Sequence, residues 1–102
     1  MTDLTPQLLS TLEQITSVLR KHGEEHWLQW ILRDVTLIRE GDLRGLEHLL
    51  SAYGGMGSFN DLYICAENGH RIERSDVEPV NEELRALASQ AYDLARHLQR
   101  AT

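Results

Sequence analysis

Residues 81–98, NEELRALASQAYDLARHL, carry Leu84, Leu87, Ala88, Ala91, Leu94, Ala95 and Leu98 at spacings of three and four. That period is the stripe of an amphipathic α-helix with one buried face. Asn81 stands where an N-cap would stand, with Pro79 before it and Glu82 and Glu83 in the first turn, on the positive end of the helix dipole. Small Ala88, Ala91 and Ala95 let a neighbouring helix approach closely. A stripe this long needs partners, and the rest of the chain supplies them.

The first partner opens at Thr5 with Pro6 at the first helical position, where a missing N–H costs nothing. Leu8, Leu9, Leu12, Ile15, Val18 and Leu19 follow at helical spacing, Arg20, Lys21 and His22 suit the negative end, and Gly23 stops the run. A second helix is expected over 24–40, with Glu24 and Glu25 first and Trp27, Leu28, Ile31, Leu32, Val35 and Ile38 as its stripe. Gly41 supplies the stop and Asp42 the next N-cap. A short third helix over 43–53 carries Leu46, Leu49 and Leu50. The fold class expected is mainly α, a small bundle of about four helices forming one domain over 1–102.

Between the third and last helices lies YGGMGSFNDLYIC, residues 53–65. Its glycines resemble a phosphate loop only in composition. A P-loop needs a preceding strand and a following Lys-Ser/Thr, and here a helix precedes and no Lys follows. Gly54, Gly55 and Gly57 read as a structural corner, whose glycines accept positive φ or a close backbone approach, with Asn60 and Asp61 hydrogen-bonding the glycine backbone. Residues 58–74 admit two readings. Ser58 with Asp61 imitates a capping box, and Phe59, Leu62 and Ala66 share a helical face. Residues 62–65 are rich in strand formers, and Asn68-Gly69 is a strong turn signal, so a short β-hairpin after the corner is the favoured expectation.

A chain of 102 residues with 41% hydrophobic side chains can build one core. It has 16 acidic against 10 basic residues, a net charge of −6, which argues against a nucleic-acid partner and is consistent either with plain solubility or with attraction to a basic protein. No apolar run is long enough to span a membrane, and residues 1–6 lack the pattern of a signal peptide, so a cytoplasmic chain is expected. The single Cys65 closes no internal disulfide. His22 and His26 are four apart, but Gly23 follows the first where a zinc-protease motif has Glu, so no metal site is expected. Cys65 and His70 lack a third orienting group. No catalytic residue and no cofactor is assigned. Trp27 and Trp30, one turn apart, are candidate interface anchors. The densest acidic run is Glu73, Asp76, Glu78, Glu82 and Glu83, which Glu67 extends across the expected hairpin.

The Trp-bearing helix, Gly41-Asp42, Gly45, the run from Leu49 through Gly-Gly-Met-Gly-Ser-Phe-Asn-Asp-Leu to Ile64, Asn68-Gly69-His70 and Asn81 together resemble a family of small bacterial proteins. That family is marked by a Gly-Gly-Met-Gly-Ser-Phe/Leu-Asn-Asp-Leu signature, and the likeness covers about residues 27–95. Such small acidic stand-alone chains are similar to immunity proteins that neutralise polymorphic toxins. The resemblance implies a non-catalytic protein-binding module whose partner is a cognate toxin with a basic surface. The alternatives are a helical adaptor or homo-oligomer pairing through the last helix, and a nucleotide-binding enzyme domain using the Gly-rich corner.

Overall fold

The computed structural model describes residues 3–101. Its four α-helices are α1 (Thr5–Lys21), α2 (Glu25–Arg39), α3 (Arg44–Ser51) and α4 (Val77–Ala101). They form a ring in which α1 packs on α2, α2 on α3, α3 on α4 and α4 back on α1. Leu8, Leu12, Ile15 and Leu19 of α1 are fully buried, and Ile31 of α2, Leu49 of α3 and Ala91 and Ala95 of α4 join them in one core. Ala88, Ala91 and Ala95 of α4 are all buried.

Local signals explain the breaks. Gly23 (φ +74°) and Gly41 (φ +75°) take the left-handed conformation that ends α1 and α2. Glu24 caps α2 by accepting the Trp27 N–H at 3.0 Å. Asp42 accepts the Arg44 N–H at 3.0 Å and its guanidinium at 2.7 Å, and these bonds hold the Asp42 carboxyl down at about 2. At the start of α1 the work is done two residues earlier than expected. Thr5 is already helical, and Asp3 accepts its N–H at 2.9 Å.

Two expectations need correction. Asn81 is not an N-cap: α4 begins at Val77, fed by a 3-10 turn at Arg74–Asp76, so Pro79 sits inside the first turn, where its lack of an N–H is harmless. Asn81 points inward instead and is buried. The β-hairpin is also absent, and the described residues contain no strand. Single 3-10 turns at Phe59–Asp61 and Ala66–Asn68 flank an extended stretch, and Gly69 (φ +88°) completes the second.

The hairpin fails for a visible reason. His70 N–H donates to Cys65 O at 3.2 Å, as a hairpin pair would, but the Cys65 N–H goes to the His70 ring Nδ1 at 3.1 Å. Beyond that point each arm finds a different partner. The Asn81 amide serves Ile64 as a neighbouring strand would, accepting its N–H at 2.7 Å and donating to its C=O at 2.8 Å. Arg71 pairs with His22, whose C=O accepts the Arg71 N–H at 3.0 Å and whose Nδ1–H donates to Arg71 O at 2.7 Å. The arms are thus fastened to the bundle rather than to one another.

Candidate functional site

The Gly-rich corner engages three of its backbone donors internally. Gly54 N–H donates to Asn60 Oδ1 at 2.9 Å, Gly57 N–H to Asp61 Oδ2 at 3.0 Å and Phe59 N–H to Ala52 O at 2.8 Å. These are the donors a phosphate would need, and the Asp61 carboxylate among them would repel it. Only Gly57 has positive φ, at +83°. A Cβ on Gly55 would meet nothing within 4 Å and one on Gly54 only Ser58 Cβ at 4.0 Å, so conformational need explains one of the three glycines. The close approach expected here occurs at Gly45, where a Cβ would stand 2.9 Å from Ile38 Cγ1 and from Leu37 Cβ. At the tip of the corner, Met56 is 99% exposed.

Trp27 and Trp30 are half-buried members of an aromatic run. Their ring centroids are 5.2 Å apart, Trp27 meets Phe59 at 5.5 Å and His26 edge-on at 4.7 Å, and Trp30 stacks on His48 at 4.2 Å while donating Nε1–H to His48 O at 3.2 Å. His48 Nδ1 in turn bonds Asp34 Oδ1. Asp34 is completely buried, its Oδ2 has no partner, and burial raises its carboxyl to about 6 against the pull of His48. A hollow of about 210 Å³ joins the outer edge of Trp27 to Gly57, Asp61, Tyr63 and Asn68, next in sequence to Glu67.

Glu67, Glu73, Asp76, Glu78, Glu82 and Glu83 are all exposed, and none is in an ion pair among the described residues. Five of them follow the surface from residue 73 into the second turn of α4, and Glu67 sits on the Ala66–Asn68 turn. His70 and Cys65 do not form a thiol and base. The His70 Nδ1 accepts the Cys65 N–H, so its Nε2 carries the proton and donates to Glu24 Oε1 at 3.0 Å, and the ring is fully engaged as a bracket between the loop and the cap of α2. Among the described residues, no group of three or more His, Cys, Asp or Glu is placed to hold a metal.

On the other side of the corner, a groove of about 620 Å³ runs between α4 and the 53–62 segment. Tyr53 and Tyr92 meet edge to face in it at 5.0 Å, the Tyr53 hydroxyl donates to Ala88 O at 2.6 Å, and Arg85 and Arg96 lie along its α4 side. Burial is the main cause that holds the Tyr53 hydroxyl far above its ordinary range, with Asp34 adding to it.

A model of the family described as Domain of unknown function (DUF6966) matches residues 20–73, a little over half of the chain. The chain belongs to the DUF6966 family. No curated protein and no solved structure shows a significant match. In this DUF6966 protein the matched span runs from the last turn of α1 through α2, α3 and the corner to Glu73, and so includes the Trp27 hollow and one wall of the groove. Helix α4, the other wall, lies beyond it.

Of the residues singled out in the sequence, the structure brings Trp27, Gly57 and Asp61 to one hollow, and it places Trp30 against His48 on a different neighbour. Asp34, His48, Tyr92, Arg85 and Arg96 went unnoticed. One signal was available for the last three, because Arg85, Ser89, Tyr92 and Arg96 recur at helical spacing beside the apolar stripe of α4. Asp34 gave a weaker one, as a polar residue on the helical face of Ile31, Val35 and Ile38, while its bond to His48 of α3 came only with packing.

Proposed function

We propose that this DUF6966 chain is a non-catalytic protein-binding module, an immunity protein that binds and neutralises a cognate bacterial toxin in the cytoplasm. The observation that carries the reading is the set of six exposed carboxylates, from Glu67 to Glu83, that have no cation of their own. Unpaired charge on a rigid helix start and an adjoining turn gives a field that steers a basic partner and covers a cleft meant for an anionic substrate. The Trp27 ring, in a hollow otherwise lined mostly by polar residues such as Glu24, Asp61, Asn68 and His70, and the projecting Met56 add apolar surface for a partner. The Asp61 carboxylate on the Gly57 N–H and the fully engaged His70 weigh against the nucleotide-binding alternative. No helix among the described residues is long and apolar enough to cross a membrane.

The test is binding kinetics between the chain and the product of a neighbouring toxin-like gene, at low and moderate salt, beside protection of cells that express the toxin. Replacing Glu73, Asp76 and Glu78 by Lys should slow association about tenfold or more and flatten its salt dependence, with a smaller effect on dissociation. A variant that binds and protects like the parent at both salt levels would remove the acidic segment from the interface. A parent that binds no such product would leave the adaptor or homo-oligomer reading in its place.

A further inference from the structure

The groove along α4 differs from the rest of the surface in charge. Sixteen acidic residues outnumber ten basic ones in the chain, yet no carboxylate lines the groove and two arginines do. Neither Arg85 nor Arg96 is in an ion pair among the described residues. They stand eleven residues apart on α4, about 16 Å along the axis and about 20° in azimuth, so they bracket Ser89 and Tyr92 on one face. Apolar Leu50, Phe59, Leu62, Leu84 and Ala88 line the groove together with the uncharged polar Asn60, Asn81 and Ser89. The volume, about 620 Å³, falls within the range of about 300–1,000 Å³ in which clefts hold small ligands.

The aromatic pair narrows the chemistry. The Tyr53 hydroxyl is already engaged with Ala88 O, so that ring offers the groove an apolar surface rather than a polar tip, and Tyr92 beside it is exposed. Tyrosine rings favour a flat apolar body, and a guanidinium favours a planar or tetrahedral oxyanion held by two parallel N–H bonds. A cationic ligand would meet repulsion from both ends. We infer that the groove between α4 and the 53–62 segment binds a small organic anion, whose flat or aromatic body lies against Tyr53 and Tyr92 and whose oxyanion is held by Arg85 or Arg96. This goes beyond the protein-binding proposal and does not depend on it, because the acidic residues of that proposal do not line the groove.

The full chain is titrated with 1-anilinonaphthalene-8-sulfonate, an aromatic sulfonate, and with uncharged N-phenyl-1-naphthylamine, following fluorescence and backbone amide NMR shifts. One saturable sulfonate site is expected, with shifts concentrated at Asn60, Ser89 and Tyr92. The double variant Arg85→Gln/Arg96→Gln, whose exposed side chains make it safe for the fold, should bind the sulfonate about tenfold or more weakly and the uncharged probe as the parent does. Competition by phenyl phosphate and by benzoate distinguishes a phosphate from a carboxylate head group. The inference is overturned by any of four results: no saturable binding up to about 1 mM, undiminished sulfonate binding in the double variant, shifts on another face, or failure of both competitors. A concentration-dependent dimer whose shifts map to the groove would assign it to a second copy of the chain and overturn the inference too.

Discussion

Gly45 and Asp34 show how single residues constrain this protein. Gly45 lets α3 lie directly on α2, with no room for a methyl group between them. Gly45→Ala should therefore lower stability by about 1–3 kcal/mol through overpacking, whereas Gly55→Ala, in open space, should stay within about 0.5 kcal/mol. Thermal melts of the two variants side by side check this. Asp34 makes a pH prediction. Its carboxyl titrates at about 6 in the folded chain against 3.8 as the ordinary value, so the native state holds an extra proton between those pH values. The stability this proton gives is present below about pH 4 and lost as pH rises through 6. Asp34→Asn keeps the neutral form at every pH. The variant should gain on the parent across that window, by up to about 3 kcal/mol at pH 7.5, and denaturant unfolding at pH 4.5 and 7.5 measures the difference.

At the scale of elements, the segment between α3 and α4 depends on side chains that replace a β-ladder. Asn81 takes the place of a neighbouring strand for Ile64, and also donates to Val77 O at 2.7 Å, so one amide ties the loop to the first turn of α4. Removing it as Asn81→Ala strands a buried N–H and a buried C=O, which should cost about 2–4 kcal/mol. Amide exchange at Ile64 should accelerate in that variant well before exchange in the α1 core does. An unchanged Ile64 rate would mean that the loop is held by the His22–Arg71 and Glu24–His70 contacts alone.

For the whole molecule, the acidic segment contributes to the field and not to the fold. Its carboxylates are exposed and unpaired, so the Glu73, Asp76 and Glu78 to Lys variant should melt within a few degrees of the parent. Three such changes add two charges each and move the net charge from −6 to zero. Solubility of the variant should then be lowest near pH 7, which precipitation by ammonium sulfate against pH would show.

By itself, the sequence determined the four helices, the glycine stops at 23 and 41 and the apolar stripes, because each rests on a short-range period or on the φ of one residue. Its acidic balance and the exposed run from residue 73 to 83 were equally legible, since charge is read residue by residue. Only the tertiary structure decided what residues 58–74 become. Strand propensity and an Asn-Gly turn favoured a hairpin, but the His70 ring takes the Cys65 N–H within the segment, and Asn81 and His22 supply better-placed partners from outside it. The same holds for the Asp34–His48 bond and for the groove between α4 and the corner. Each arises from residues distant in sequence whose juxtaposition depends on how the helices pack, and no local period encodes it.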